Sequence, residues 1–157
     1  MFDKEIAALM ESAVMMIIAT RNDAQRAAIG RAVGARLIDG GAFVDIYISG
    51  TQWSEAVSNC APGVPVAFTF CRPTDYRTFQ VKGAVVDVAV PDSADIATAG
   101  RYITGMGTVM LGLGVTQQQF HHWCTAEGLV RIRLKPHAIF QQTPGPGAGQ
   151  QIAGGPA

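Results

Sequence analysis

The sequence predicts a mainly β protein, an antiparallel barrel or sheet with helices at its periphery. Segments with the composition of strands follow one another through short turns. The regular alternation of strand and helix that a parallel, doubly wound sheet needs is not found. Of the 157 residues, 48% are hydrophobic and 15% are charged, which is typical of one well-packed domain.

The chain begins with a segment that predicts a short amphipathic helix. Its apolar residues recur at helical spacing: Phe2, Ile6, Leu9 and Met10. Asp3 and Glu5 place negative charge at the N-terminal end of this helix, where its dipole favours it.

Three strands are expected next, at Val14–Thr20, Ala27–Ile38 and Phe43–Ile48. Gly30 and Gly34 interrupt the second strand and predict a bulge or a close approach of another part of the chain. The Asp39-Gly40 pair is typical of a tight turn between two strands.

The middle of the chain predicts a helix, two strands and a second helix. The helix is expected from Thr51, as its cap, to Asn59, and the strands at Val64–Cys71 and Thr78–Val90. Asp92 and Asp95 then form a capping signal for a helix that runs to about Leu113.

The C-terminal part predicts a short helix from Thr116 to Trp123 and a strand from Leu129 to Leu134, which residues 139–141 either extend or follow. Because Arg131, Arg133 and Lys135 alternate with apolar residues, we expect them to face solvent; a role in ligand binding is the alternative. The predicted organisation is one domain over residues 1–142 and a Gly/Pro-rich tail over residues 143–157.

Composition excludes several classes of function. Twelve basic and twelve acidic residues give a net charge of zero, so a nucleic-acid partner is not expected. The longest apolar run, Ala13–Ala19, is too short to span a membrane, and no secretory leader is recognisable. Three scattered cysteines, Cys60, Cys71 and Cys124, predict neither a disulfide framework nor a metal site, and favour the cytoplasm.

The segment RPTDYRTFQVKG, residues 72–83, is the richest in groups that could bind a ligand. A polar turn carries Arg72 and Arg77, and the strand that follows places Gln80 and Lys82 on one face. Guanidinium and amide groups together can bind a flat polar ligand with anionic oxygens. The alternative is a solvated hairpin with a local pair between Asp75 and Arg77.

Much of the chain resembles the pyridoxamine 5′-phosphate oxidase-like group of FMN-binding split β-barrels. The residues that carry the resemblance are IIATRND from Ile17, AIGRAVGARLIDGGAFVDIYIS from Ala28, NCAPGVPVAF from Asn59, the RPTDYRTFQVKG segment and IFQQTPGPGAG from Ile139. The resemblance implies a six-stranded antiparallel split barrel. It further implies a homodimer with FMN bound in two sites at the dimer interface.

The resemblance also assigns residues to the FMN site. Arg31 stands where the family binds the FMN phosphate, and Gln80 matches a glutamine that contacts the flavin from the other subunit. Further hydrogen bonds are expected from Ser49, Thr51 and Gln52. The family's basic pair, however, falls on Trp53 and Ser54.

This departure weakens the expected phosphate site. Loss of a charge-assisted contact costs about 1.5–3 kcal/mol. This corresponds to roughly a ten- to hundredfold loss of affinity for the phosphate. Arg36, Arg72 or Arg77 is expected to compensate if one of them points into the site. Trp53 either stacks on the flavin ring or packs in the core.

The tail has two interpretations. The glycines at positions 145, 147 and 149 can bring successive backbone N–H groups into an anion-binding nest, and we expect the tail to fold over the flavin site. Alternatively, it is a disordered end.

The predicted function is that of an FMN-dependent oxidoreductase-like homodimer acting with a small-molecule substrate or electron donor. We do not expect a true pyridoxamine-phosphate oxidase, because the chain is short for one and the substrate-contacting pattern of those enzymes is not visible. The alternative is a degenerate flavin-binding module or dimeric scaffold without turnover. Deazaflavin F420 and haem are alternative cofactors, although no convincing haem ligand stands out and F420 would call for more basic residues.

Overall fold

A computed structural model describes residues 1–155. Six antiparallel strands form a closed barrel: β1 (Met15–Arg21), β2 (Ala27–Ile38), β3 (Phe43–Ser49), β4 (Pro65–Cys71), β5 (Thr78–Ala89) and β6 (Leu129–Gln141). Each strand pairs with its neighbours in the order β3-β2-β1-β4-β5-β6, and pairing between β3 and β6 closes the ring. The six-stranded antiparallel barrel implied by the resemblance is therefore confirmed.

Alternation along the strands fills the barrel with apolar side chains. Among the largest fully buried ones are Met16, Ile18, Ile46, Phe68, Phe70, Ile132 and Leu134. Gly30 lies at a close approach, since a Cβ there would stand 2.6 Å from Ile48 Cδ1. The bulge predicted in β2 lies between Ala32 and Ala35, where Gly34 has a φ of 133°. Both predictions for these glycines are confirmed.

Over residues 1–155, four α-helices surround the barrel: α1 (Lys4–Met10), α2 (Ser54–Ser58), α3 (Ser93–Gly112) and α4 (Gln117–His121). Asp92 and Asp95 form the predicted capping box at the start of α3. Helix α2 begins later than predicted. Ser49 rather than Thr51 organises its approach: Gln52 N donates to Ser49 Oγ at 3.1 Å, and Trp53 N donates to the Ser49 carbonyl.

Strand β6 continues through Pro136 to Gln141, so residues 139–141 extend the predicted strand rather than follow it. A register shift in β5 between Lys82 and Gly83 accommodates the proline, which has no N–H to donate. Gly83 permits the approach, since a Cβ there would lie 2.3 Å from the Lys135 carbonyl oxygen.

The tail forms a short strand, β7 (Gln151–Gly154), which pairs with β6 at Ala138, Ile139 and Phe140. This part of β6 lies beyond its pairing with β3. The amides of Ala148, Gly149 and Gln150 all donate to nearby carbonyls. These three amides are therefore not free to form the predicted anion nest.

A buried cluster of charges joins α3 to the outside of the barrel. Asp45 is fully buried and accepts from Arg133 Nε at 2.7 Å, Arg133 Nη2 at 2.8 Å and Arg131 Nη1 at 3.3 Å. Arg36 and the hydroxyl of Tyr47 both donate to Asp95. Burial, followed by the hydrogen bond to Asp95, raises the pKa of Tyr47 above its ordinary range.

The cluster corrects the expectation that Arg131 and Arg133 simply face solvent. Their side chains are only 13% and 30% exposed, because carboxylates from β3, β5 and α3 surround them. The hydrogen bond to Asp45 raises the pKa of Arg133 further above its ordinary value.

Within residues 1–155, none of the helices has both the length and the apolar content to cross a membrane.

Candidate functional site

The outer faces of β2, β1, β4 and β5 form a continuous surface that brings several predicted site residues into register. One row across it runs Arg31, Ile17, Thr69 and Gln80, and continues to Phe140 on β6. Arg31 and Gln80 lie three strand spacings apart, about 14 Å at 4.8 Å each. We call this surface the outer face.

Arg31 is held on the outer face by an aromatic ring. Its guanidinium carbon lies 4.4 Å from the centre of the Trp123 ring, and Nη1 lies 3.7 Å from Met15 Sδ. No ion pair involves Arg31 within the described residues. A stacked guanidinium keeps its N–H donors in the plane of the group, so Arg31 can still bind an anion.

Gln80 and Lys82 lie on the same face of β5, as predicted. Phe79 and Val81, which alternate with them along the strand, are buried on the opposite face. Gln80 Nε2 donates to Thr69 Oγ1 at 3.0 Å, so the amide orientation is fixed. Lys82 Nζ lies 4.5 Å from the centre of the Phe140 ring.

A largely apolar depression adjoins the row of Arg31 and Gln80. It has a volume of about 460 Å³, and small side chains such as Ala19, Ala27 and Ala67 form much of its lining. Lys82 and His137 also line it. The outer face thus combines flat apolar surface with cationic groups at its margins.

Ser49 and Gln52, at the end of β3, already bond within the protein. Ser49 Oγ donates to the Glu127 carbonyl at 2.6 Å, and Gln52 Nε2 donates to the His122 carbonyl at 2.5 Å. Gln52 Oε1 is buried without a hydrogen-bond partner in the described structure. Thr51 is exposed and lies against Gly128.

The next two positions carry no charge for a phosphate. Trp53 packs against the hydrophobic core with part of its surface buried, which favours the core interpretation over stacking on a flavin. Ser54 is exposed at the first position of α2. Neither residue replaces the basic pair whose absence the sequence revealed.

The three arginines considered as compensating groups are engaged by carboxylates. Arg72 binds Asp75 through Nε and Nη2, at 2.9 and 2.5 Å. This pair replaces the predicted one between Asp75 and Arg77, although the Arg77 backbone N–H does donate to Asp75. The Arg77 guanidinium contacts Glu5 of α1, and Arg36 contacts Asp95.

Residues 122–128, which sequence analysis did not assign to the site, contact several of its residues. This segment supplies Trp123 to Arg31 and accepts the hydrogen bonds from Ser49 and Gln52. Gly50 N also donates to the Gly128 carbonyl at 2.9 Å. We call residues 122–128 the bracing loop, because it contacts both Arg31 and the end of β3.

The chain matches no protein-family model and no curated protein sequence. Solved structures do share its fold. A putative pyridoxamine 5′-phosphate oxidase from Lactobacillus delbrueckii superposes with a TM-score of 0.53 at 13% identity, over 88% of this chain and 93% of that one. An F420 reductase gives 0.50 at 18%, over 88% and 98%.

HutZ, a haem storage protein from Vibrio cholerae, gives a TM-score of 0.50 at 13% identity, over 88% of this chain and 93% of that one. The chain therefore has the split-barrel fold of pyridoxamine 5′-phosphate oxidase-like proteins. At these identities the similarity shows the fold alone, and the three named proteins differ in what their names say they bind or act on.

Proposed function

We propose that this protein binds FMN on its outer face, as a homodimer, and acts as an FMN-dependent oxidoreductase on a small molecule. The observation that carries the proposal is the placement of Arg31. It is a cation without a carboxylate partner among residues 1–155, at one end of a row that ends in the fixed amide of Gln80.

The chemistry of the outer face suits the two ends of FMN. The phosphate is a dianion, which the in-plane donors of Arg31 can bind. The isoalloxazine ring is flat, and Ile17, Ala19 and Ala67 offer a flat apolar surface between Arg31 and Lys82. When bound, the flavin supplies the redox chemistry, while the protein supplies binding and orientation.

A second copy of the chain is part of the proposal, because the outer face is apolar and open. Ile29 on β2 is 61% exposed, and it lies at one end of the row of Ala19, Ala67 and Lys82. Burying such a surface against the same surface of a partner would give a symmetric dimer. The flavin would then lie between the two copies.

The test is a fluorescence titration of FMN with the purified protein. Arg31→Ala should weaken binding at least tenfold, because it removes a charge-assisted contact. Arg26→Ala is the matched control: it also removes one positive charge, from an exposed position in the turn before β2. Equal affinity of Arg31→Ala and the unmodified protein would contradict the proposal.

A second candidate function is a flavin-binding module without turnover. The engagement of Ser49 and Gln52 in internal hydrogen bonds favours it, because fewer groups are left to hold the cofactor. Addition of NADH or NADPH under anaerobic conditions separates the two candidates. Bleaching of the bound flavin supports the oxidoreductase, whereas a flavin that stays oxidised with both reductants supports the module.

Haem is the alternative cofactor that one structural observation favours. His137 lines the same apolar depression as Ala67 and Lys82, so an imidazole is available beside a surface that could receive a porphyrin. The test is to add haemin to the purified protein and to record the visible absorption spectrum. A shifted Soret band that disappears in His137→Ala would favour haem over FMN.

A further inference from the structure

Trp123 lies outside the predicted site, but its ring contacts Arg31, the cation on which the proposed function rests. The tryptophan follows α4 and lies 92 positions from Arg31 in the chain, yet the guanidinium sits 4.4 Å from its ring centre. The indole is partly buried, and its ring meets the ring of Phe120 edge-on at 5.1 Å. Phe120 is itself buried, so the platform beneath Arg31 is anchored in the core.

The stack determines which donors of Arg31 remain available. An arginine side chain has several rotatable bonds, and holding it in one conformation costs entropy when a ligand binds. Stacking on a tryptophan restrains the guanidinium before binding, and leaves the N–H groups in the plane of the guanidinium available as donors. Nη1 lies 3.7 Å from Met15 Sδ, a weak acceptor.

The bracing loop fixes the position of Trp123 from the other side. The loop's backbone accepts hydrogen bonds from Gln52 at His122, from Ser49 at Glu127 and from Gly50 at Gly128. Each of these bonds joins the loop to the end of β3 or to the residues just after it, and β3 pairs with β2. The tryptophan platform and the strand that carries Arg31 therefore belong to one rigid arrangement.

We propose that Trp123 is a positioning residue that orients Arg31 to bind the phosphate of the flavin. This inference rests on the proposed function. Trp123 is uncharged, so it would contribute to FMN affinity only through Arg31. In this way the bracing loop would supply part of the FMN affinity that the missing basic pair does not. Trp123 itself need not touch the ligand.

The inference predicts an effect that depends on the phosphate. Trp123→Leu should weaken FMN binding about three- to tenfold, the range for loss of a partly exposed cation–π contact. Trp123→Phe keeps an aromatic face and should lose less. Riboflavin, which lacks the phosphate, should bind Trp123→Leu and the unmodified protein equally well.

The experiment is a set of FMN and riboflavin titrations on the full chain. His122→Ala is the matched control, because that neighbouring side chain is exposed and its structural contact is through the backbone carbonyl. In an Arg31→Ala background, Trp123→Leu should have no further effect on FMN affinity, since the group that it positions is gone.

Three outcomes overturn the inference. If Trp123→Leu binds FMN as tightly as the unmodified protein, Trp123 does not position Arg31. If the variant weakens FMN and riboflavin equally, Trp123 acts on the fold as a whole. If the unmodified protein binds no FMN, the proposed function fails first and the inference falls with it.

Discussion

At the scale of single residues, Asp45 shows how the charge of one side chain organises its surroundings. Its carboxylate is fully buried and accepts two hydrogen bonds from Arg133 and one from Arg131. An unpaired charge inside a protein destabilises the folded state. The buried carboxylate and its arginine partners therefore each depend on the other for charge compensation.

Asp45→Asn should therefore destabilise the protein strongly. The substitution leaves Arg131 and Arg133 without their central counter-charge, a change that costs about 3–5 kcal/mol in buried pairs. Urea unfolding followed by circular dichroism measures the loss. Asp75→Asn is the control, because it breaks the exposed pair with Arg72 and should change the unfolding midpoint little. Similar midpoints for the two variants would show that the buried cluster is not a stabilising centre.

The buried thiols and phenols predict a loss of stability at alkaline pH. Burial raises the pKa of Cys60 to about 11 and that of Cys124 to about 12, and burial also raises the pKa of Tyr102. The folded state keeps these protons while the unfolded state releases them, so the free energy of unfolding decreases as pH rises above about 8.5. Urea midpoints at pH 8 and pH 10 test this.

The midpoint should be lower at pH 10, and Cys60→Ala should show a smaller decrease because one titrating group is absent. A midpoint that is unchanged between pH 8 and pH 10 would show that these groups do not keep their protons in the folded state.

Sequence reasoning at this scale succeeded for local signals and failed for distant partners. Asp92 and Asp95 are three residues apart, so the capping box was visible in the sequence. Arg131 looked like a solvent-facing residue because its partners Asp45 and Asp87 lie on other strands. Pairing of that kind depends on barrel closure, which alternation within one strand does not reveal.

At the scale of elements, the C-terminal strand β7 extends the register of the candidate site. Phe140 on β6 pairs with Gln80 on one side and with Gln151 of β7 on the other. The loop before β7 is joined to the barrel where Thr78 N donates to Thr143 Oγ1 at 3.0 Å. The tail thus starts beside the outer face, and its covering of a flavin site stays a prediction.

Removal of residues 143–157 should weaken FMN binding several-fold while the barrel stays folded. The strands that close the barrel lie before Thr143, whereas Phe140 loses its neighbour in β7. Fluorescence titration and circular dichroism of the truncated protein measure the two effects.

Gly154→Val is a point variant with the same expected result. A Cβ at position 154 would stand 2.0 Å from the His137 carbonyl oxygen, so the strand cannot keep its place. Unchanged FMN affinity in both variants would show that the tail plays no part in the site.

Elements were predictable where the chain itself carries the signal. Turns with glycine and aspartate bounded β2 and β3 closely. The full length of β6 was not predictable, because a strand containing Pro136 needs the register shift that β5 supplies at Gly83. The role of the bracing loop was not predictable either, because its contacts are with β2 and the end of β3, which are distant from it in the sequence.

At the scale of the whole molecule, closure of the barrel leaves the outer face as an open, largely apolar surface. Ile29→Lys should convert a dimer into a monomer, because it places a charge on the most exposed large apolar side chain of this surface. Val90→Lys is the control: Val90 is 91% exposed and lies beyond the end of β5. Sedimentation equilibrium distinguishes the species. A monomeric unmodified protein, or a dimer that persists in Ile29→Lys, would contradict the proposed interface.

The architecture was largely predictable and the site only partly so. The six-stranded antiparallel barrel followed from the hairpins together with the family resemblance, and the structural neighbours share that fold. The placement of Gln80 and Lys82 followed from alternation along β5. The role of Trp123 beside Arg31 arises from two segments that meet only when the chain is folded.

Sedimentation velocity recorded at the flavin absorption band, about 450 nm, tests the central claim most directly. If FMN binds between two copies on the outer face, the visible absorbance will sediment with a species of twice the 16.6 kDa chain mass. Arg31→Ala will leave much of that absorbance unsedimented. Flavin that stays in the supernatant with the unmodified protein, or that sediments with a monomer, would contradict the account.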